Sequence, residues 1–239
     1  RHTRYPLVTG VQTCALPICI EAETGVLEAV AKSVKERTDG RRKFMLWKHA
    51  VDTAAAVGAF PLAAGSRDAA LVVALPPGPY SAHLRPADGS GGIALFEAYD
   101  AIGGDPGSRF INLSLRGRAG AGESILIAGV VVGGTGPVNL LLRAVGPGLA
   151  GFGVEGVLSR PRIALYSGSS EVRSNAGWSA VPFAADLAGA ARAARAFPLA
   201  EGSADAALTV VVSPGPYTLL VSGADAAAGE VLTEVYVLR

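Results

Sequence analysis

The pattern of apolar and polar positions predicts β-strands over most of the second half of the chain. Short runs rich in Val, Leu and Ile alternate there with turns that contain Gly and Pro, which is typical of strands joined by tight connections. We predict strands at residues 110–115, 124–132, 138–145, 162–166, 207–212, 217–222 and 231–238. Residues 183–196, rich in alanine, keep a helical spacing instead. The fold class that these elements predict is mainly β, an antiparallel two-sheet β-sandwich with one short helix.

Part of the first half repeats the second half with an offset of 137 residues. The run AFPLAAGSRDAAL at 59–71 returns as AFPLAEGSADAAL at 196–208, and 22 of the 42 positions from 59 to 100 are identical to their counterparts. Such self-similarity indicates two copies of one structural unit, and the long period indicates that each copy is a domain.

The two copies differ in completeness, because the opening strands of the second copy have no counterpart in the first. We therefore predict that residues 51–101 are the C-terminal half of repeat 1, a truncated half-copy with strands at 70–75, 80–84 and 93–99. Residues 102–108, rich in Gly, form a linker, and residues 109–239 are the complete repeat 2.

Residues 20–50 differ in composition from the rest and contain all the lysines of the chain. Val26, Val30 and Val34 recur every four residues, which predicts an amphipathic helix in this segment. A chimeric join without native meaning is the alternative. The cluster at 41–43, RRK, is better explained as a solvated helix end than as a nucleic-acid site.

Residues 8–18 resemble the in-frame translation of a common sequencing adapter, so residues 1–19 are predicted to be an artefactual leader. A genuine secretory leader is the alternative, although Thr9, Gln12 and Thr13 interrupt its apolar region. The cysteines of the chain, Cys14 and Cys19, both lie in this segment and would close only a very short loop.

Charge and hydropathy exclude two classes of partner. The formal net charge is +1, so no long-range field attracts nucleic acid or an anionic membrane. The longest apolar run, residues 125–132, is too short for a helix that spans a bilayer. Half of the residues are hydrophobic, which is enough for a sizeable core.

A series of short motifs in the second copy resembles a known β-sandwich repeat. The motifs are FINLSLRG at 110–117, LIAG at 126–129, LLRAVGP at 141–147, FGV at 152–154 and PGPYT at 214–218. Repeats of this kind belong to large secreted or cell-surface proteins of environmental bacteria, and the C-terminal part resembles, more loosely, the pre-peptidase C-terminal type of sandwich. The resemblance implies an extracellular or cell-surface location, neighbouring domains of the same parent protein as partners, and no catalytic residues.

The second copy offers little chemistry. It contains neither His nor Cys, since the histidines are His2, His49 and His83, and this excludes zinc sites and Ser-His-Asp triads from residues 109–239. The glycine-rich turns at 117–122 and 133–136 lack a Walker lysine and lie between predicted strands, which favours hairpin turns over phosphate loops. We expect no cofactor.

Acidic residues recur at equivalent positions in both copies, as Asp68 with Asp205 and Glu97 with Glu234. No Asp-x-Asp pattern accompanies them, which disfavours calcium. Glu234 lies in an apolar strand and Arg143 in another, and a buried charge needs a partner. We therefore predict that Glu234 and Arg143 pair across the core.

Three aromatic residues of the second copy complete the candidates. Trp178 is predicted to pack against the helix around Leu187, the alternative being an exposed platform for a sugar ring. Tyr217 and Tyr236 recur in both copies, and their period-two surroundings predict packed rings with hydroxyl groups near the rim.

These observations favour a non-catalytic structural or adhesive module of an exported bacterial protein. The alternative is a carbohydrate-binding module, which would need an exposed Trp178 and Tyr166 lining one groove. An enzyme would need a pair of carboxylates in a cleft, such as Asp186 with Glu201, and their helix and turn settings favour solvated positions instead.

Overall fold

A computed structural model describes residues 18–22, 50–59, 61–63, 68–70, 72, 75, 78–86, 92–100 and 110–238. The chain divides into two compact units, of which one comprises residues 11–108 and the other residues 109–239 together with residues 1–10. Within the described residues, no helix is long and apolar enough to cross a membrane.

The first unit contains strand β1 (Ile18–Ala22), helix α1 (residues 50–57) and strand β2 (Ala82–Pro86). The two strands pair in antiparallel orientation. In the second unit the described elements are β3 (Asn112–Ala119), β4 (Leu126–Val132), β5 (Val138–Val145), β6 (Pro161–Ser167), β7 (Ser170–Asn175), α2 (Ala184–Ala193), β8 (Ala206–Val212), β9 (Gly215–Gly223) and β10 (Gly229–Leu238).

The strands of the second unit form two four-stranded antiparallel sheets. One has the order β3-β10-β5-β8 and the other the order β4-β9-β6-β7. The second unit is therefore an antiparallel two-sheet β-sandwich with one short alanine-rich helix, and the predicted fold class is confirmed. Its first and last strands, β3 and β10, are hydrogen-bonded neighbours.

The core lies between the inner faces of the two sheets. Because successive side chains of a strand point to opposite faces, the buried residues of β4 alternate with half-buried ones along the whole strand. The core is formed by apolar side chains, among them Val130, Leu142, Ile163, Leu165, Leu208, Leu219, Val221, Val231 and Val235.

The outer face of the first sheet is also covered. The chain between β7 and β8 crosses this face, and α2 packs against β5 and β8. Ala207, on the outward-facing row of β8, joins a cluster with Trp178 and Leu187 of this crossover. Covered on both faces, β5 is buried over its last six residues, which explains why its sequence is an almost unbroken apolar run.

The predicted elements of the second unit differ from the observed ones mainly at their ends. The strand predicted at 138–145 matches β5, whereas that predicted at 110–115 is observed as β3, two residues later at its start and four at its end. Strand β7 was not predicted, because its sequence SEVRSN has no apolar alternation and most of it is exposed.

In the first unit, one prediction is wrong, since residues 93–99 are not in a strand. The helix predicted from Val26, Val30 and Val34 lies outside the described residues, and residues 20–22 belong to strand β1. The strand predicted at 80–84 appears as β2, displaced by two residues. Described residues Ala70, Val72 and Leu75 are not in a strand, and residues 1–17, 23–49 and 101–109 lie outside the described residues.

Helix α2 ends in a Schellman motif, in which two backbone N–H groups return to carbonyl groups of the last turn. Arg195 N–H donates to Arg192 O at 3.1 Å and Ala196 N–H donates to Ala191 O at 2.9 Å. This motif places Arg195 in the left-handed region, with φ 57°, a conformation that costs a residue with a Cβ atom about 1–2 kcal/mol.

Helix α1 ends in the same way, although its sequence differs from that of α2 at most positions. Gly58, with φ 78°, donates to Ala55 O at 3.3 Å, and Ala59 N–H donates to Ala54 O at 2.9 Å. Gly58 is the residue 137 positions before Arg195. At this position the first unit has glycine, which adopts a positive φ without strain. The second unit has Arg195, whose Cβ atom makes the same conformation costly.

We expect Arg195→Gly to stabilise the second unit by about 0.5–1 kcal/mol, because the strain removed exceeds the added entropy of the unfolded chain. Chemical denaturation with the free energy of unfolding as readout is the measurement. The matched control is Ala190→Gly inside α2, which should destabilise by about 1 kcal/mol. A lower free energy of unfolding for Arg195→Gly would contradict the assignment of strain.

Candidate functional site

The most unusual side chains of the second unit are a buried arginine and a buried glutamate. Arg143 on β5 and Glu234 on β10 are directly opposite each other in the antiparallel register. Arg143 Nε lies 3.0 Å from Glu234 Oε2, and both side chains are almost completely buried. The structure therefore brings together the two residues that the sequence predicted to pair.

The position of the pair differs from the prediction. Arg143 and Glu234 lie side by side on one sheet, on the outward-facing row that also contains Ala207, and not across the core from each other. The crossover between β7 and β8 buries them. Alternation along a strand shows which residues share a face, but it does not show which face another segment covers.

The crossover holds Arg143 through Phe197. Arg143 Nη1 donates a hydrogen bond to Phe197 O at 2.8 Å, and the guanidinium carbon lies 4.4 Å from the centroid of the Phe197 ring, within the range of a cation–π contact. Among the described residues, Arg143 Nη2 has no hydrogen-bond partner, and its Nε approaches Glu234 as an ion pair without hydrogen-bond alignment.

Glu234 is anchored by Tyr236 and Ser114. Tyr236 Oη donates to Glu234 Oε1 at 2.7 Å, and Ser114 Oγ lies 3.5 Å from the same oxygen. Burial, the hydrogen bond to Glu234 and the negative charge of that carboxylate raise the pKa of Tyr236 far above its ordinary value, and Arg143 opposes this shift. Tyr236 thus forms part of the same buried cluster as Arg143 and Glu234.

Trp178 is buried in the crossover and packs with Leu187 and Ala207. Its Nε1 donates to Ala200 O and to Ser203 Oγ, each at 3.1 Å. Trp178 is therefore packed inside the unit, as its sequence setting predicts. It cannot serve as an exposed platform for a sugar ring.

The remaining tyrosines also bond within the second unit. Tyr217 is half-buried on β9 and donates its hydroxyl to Ser213 O at 3.0 Å. Tyr166 donates to Glu171 Oε2 at 3.0 Å, and Arg162 Nη2 lies 3.2 Å from the same oxygen in an exposed ion pair. Hydrogen bonds to Ser174, Tyr166 and Arg162 lower the pKa of Glu171.

Asp205 has a role that the sequence analysis did not assign. It is fully buried, and its Oδ1 accepts the N–H groups of Gly146 at 2.8 Å and Gly148 at 3.2 Å. Ser203 Oγ donates to Oδ2 at 2.8 Å. A Cβ atom at Gly146 would overlap Leu158 O, so this turn needs glycine. The Ser-x-Asp motif that recurs in both copies of the repeat was the sequence signal for this contact of Asp205.

The carboxylates considered for other chemistry lie apart from this cluster. Asp186 on α2 and Glu201 in a turn are both exposed. Within the described part of the chain, no group of three His, Cys, Asp or Glu residues could hold a metal ion. The candidate site is therefore the buried pair of Arg143 and Glu234 together with Tyr236 and Phe197, which contact it. The contacts within this cluster are those of a structural element.

Comparison with known proteins adds one structural likeness. No family model matches the chain, and no curated protein matches it. Among solved structures, the chain is similar to the pre-peptidase C-terminal domain of a collagenase from Bacillus anthracis, with 15% sequence identity and a TM-score of 0.30, over 53% of this chain and 89% of that chain.

Removal of either partner of the buried pair should destabilise the second unit by about 3–5 kcal/mol, because the remaining charge stays buried without compensation. Glu234→Gln and Arg143→Met test this by the free energy of unfolding. The double variant should be clearly more stable than the sum of the two losses predicts, since it leaves neither charge buried alone.

The exposed ion pair supplies the control for this experiment. Glu171→Gln removes the partner of Arg162, whose side chain is 40% exposed, and solvent compensates both groups. We expect its unfolding midpoint to match that of the wild type. Equal effects of Glu171→Gln and Glu234→Gln would contradict a structural role of the buried pair.

The raised pKa of Tyr236 predicts a pH dependence at alkaline pH. The folded state holds the Tyr236 proton more tightly than the unfolded state does. The contribution of this proton to the free energy of unfolding is therefore complete below about pH 10 and decreases as pH rises above it. The stability difference between wild type and Tyr236→Phe should therefore shrink from about pH 9 to about pH 11. A difference that stays constant over this interval would contradict the assignment.

Proposed function

We propose that residues 109–239 are a non-catalytic structural or adhesive module of an exported bacterial protein. The observation that carries this proposal is how the module uses its polar side chains. Arg143, Glu234, Tyr236 and Trp178 direct polar atoms to partners inside the unit rather than to an open cleft. Side chains with such partners stabilise a fold, whereas a catalytic group needs access to a substrate.

Export is supported by the motif series between residues 110 and 218, which resembles repeats of secreted and cell-surface proteins. The same resemblance supports neighbouring domains of one parent protein as the partners. The repeated segments, related by 137 residues with 22 of 42 identical positions, support a parent in which this module occurs more than once.

The places where the chain enters and leaves the sandwich favour a module that does not transmit force along the parent protein. The start of β3 and the end of β10 are neighbours, since Asn112 pairs with Tyr236 and Val237 N–H donates to Ile111 O at 3.0 Å. The chain thus enters and leaves at one end of the sandwich. A force applied there pulls across the two strands and breaks their perpendicular hydrogen bonds one after another.

A single-molecule force measurement tests this proposal. With Cys14 and Cys19 replaced by serine, cysteine handles at positions 110 and 238 should give a lower unfolding force than handles at 110 and 228. The second pair lies at opposite ends of the β3–β10 ladder, where Gly229 pairs with Ala119, so all its hydrogen bonds carry the load together. An equal or higher force for the first pair would favour a load-bearing spacer.

Carbohydrate binding is the second candidate, and one exposed aromatic residue favours it. Phe152 is 65% exposed, and its ring meets that of Phe197 edge-on with centroids 5.2 Å apart. Aromatic surfaces of this kind can stack on sugar rings. Specific binding on a glycan array that Phe152→Ala abolishes and Phe152→Tyr retains would replace the structural module with this alternative.

A further inference from the structure

Phe152 is a large apolar side chain that the second unit presents to solvent from an anchored segment. It is the last residue of a short 3-10 helix (Pro147–Phe152) and is 65% exposed. Leu149 anchors this helix by its buried side chain, and Gly153, with φ 76°, closes it by donating its N–H group to Ala150 O at 3.0 Å. An exposed ring on an anchored element is typical of a contact surface.

The buried pair supports this ring through Phe197. The Phe152 ring meets the Phe197 ring edge-on, with centroids 5.2 Å apart. Arg143 in turn contacts both the carbonyl group and the ring face of Phe197. Phe197 is therefore fixed by buried contacts, whereas most of the Phe152 side chain is in contact with water. A ring that is positioned in this way before a ligand arrives loses little conformational freedom on binding.

Arg195 lies two residues before Phe197, so the Cα atoms of these residues are within about 7 Å of each other. Arg195 is exposed, and among the described residues its side chain makes no hydrogen bond or ion pair. Its backbone is in the left-handed region, with φ 57°, where the equivalent residue of the first unit is Gly58. The second unit thus has a strained arginine without an intramolecular contact, and such strain is typical of functional positions.

The helix dipole does not explain why arginine is present at this position. Arg192 already places a positive charge in the last turn of α2. The Arg192 side chain extends back along the helix, since its Nη2 lies 3.8 Å from where a Cβ atom of Gly189 would be. A second exposed cation gains little from the dipole and does not offset the backbone strain at Arg195. A role toward a ligand accounts for arginine here.

We propose that Phe152 and Arg195 bind an acidic sugar, with the Phe152 ring against the apolar face of the sugar and the Arg195 guanidinium on its carboxylate. A planar guanidinium binds a carboxylate through two parallel N–H groups. This inference gives the adhesive role a ligand and rests on the carbohydrate-binding candidate above.

The small extent of the apolar surface favours a sugar over a peptide. One exposed ring is enough to stack on one sugar ring, whereas a helix or strand of another protein needs a groove or a row of apolar side chains. Among the described residues of the second unit, the other large apolar side chains that are exposed lie on or beside β3, β7 and β8 (Phe110, Ile111, Val172 and Val211). Phe152 therefore stands apart from them.

Glu155 limits the ligand to one with isolated carboxylates. It is exposed and lies three residues after Phe152, so their Cα atoms are within about 11 Å of each other. A second carboxylate on a neighbouring sugar unit would be repelled by Glu155. A polysaccharide in which uronic acid units alternate with neutral units avoids this repulsion, and this is the class of ligand that we expect.

The test uses the full chain and two tetrasaccharides that differ only at their carboxyl groups. One alternates glucuronic acid with N-acetylglucosamine, and the other is its carboxyl-reduced form, in which each carboxylate is replaced by a neutral alcohol. Binding is followed by NMR on isotope-labelled protein at low ionic strength, because salt screens an exposed charge pair. We expect the acidic sugar to shift the signals of Phe152 and Arg195 and to bind at least about fivefold more tightly than the reduced form.

Single substitutions separate the two contacts from folding. Phe152→Ala should weaken binding of the acidic sugar by about tenfold, and Arg195→Gly should lower it to the level of the reduced sugar. Because Arg195→Gly is expected to stabilise the second unit, weaker binding by this variant cannot result from unfolding. Arg195→Lys keeps the charge without the planar group and should retain part of the affinity.

The matched control is Arg192→Ala, which removes the same charge from an exposed residue of the same helix. This variant should bind the acidic sugar as the wild type does. Equal losses for Arg192→Ala and Arg195→Gly would overturn the proposal, because they would show a general attraction of the anion to the end of the helix.

Two further results would overturn the proposal, and they separate it from the wider carbohydrate-binding candidate. Equal binding of both sugars that Phe152→Ala abolishes would leave that candidate in place without a role for Arg195. No binding of either sugar up to about 10 mM would exclude the acidic sugar as the ligand, and the glycan array described above then decides the wider candidate independently.

Discussion

Strand β5 is the element on which the rest of the second unit depends, because its two edges hold β10 and β8 in one sheet. Hydrogen bonds of a ladder form only when a neighbour is present, so loss of a central strand removes partners from two others. The same strand is buried on both faces, between the core and the crossover. A single segment thus connects the backbone ladder, the core and the covering helix, and its apolar sequence reflects all three.

The buried pair fixes how β5 and β10 align. A shift of one residue along either strand would turn Arg143 or Glu234 toward the inner face and separate the charges, so the correct register is favoured strongly over its neighbours. The crossover adds a second constraint, since the carbonyl group and the ring of Phe197 both contact the guanidinium group. Polar side chains buried beneath the crossover therefore specify one arrangement of strands and crossover, and this explains why two charged groups are buried there.

Much of this fold could be predicted from the sequence, because apolar runs and turn residues are local signals. The pairing of Arg143 with Glu234 could also be predicted, since each charge interrupts an apolar strand and needs a partner. Their location under the crossover could not, because no local pattern shows where a distant segment packs. Strand β7 was missed for the opposite reason: at the edge of its sheet, polar SEVRSN needs no apolar alternation. Residues 93–99 have a strand-like sequence but do not form a strand, which shows that local preference alone does not decide strand formation.

The side-chain contacts of this chain divide into local ones and ones that join distant segments. The bond from Tyr99 to Glu97 spans two residues and is present without a strand, as a contact between near neighbours in sequence can be. The contacts of Arg143 with Phe197 and of Asp205 with Gly146 span more than fifty residues and close the crossover onto its sheet. Contacts of the second kind bring together the residues that sequence analysis would select as chemically active. Because these residues hold distant segments together, their burial and polarity are explained by the architecture, and a binding function has to be sought at exposed edges and faces instead.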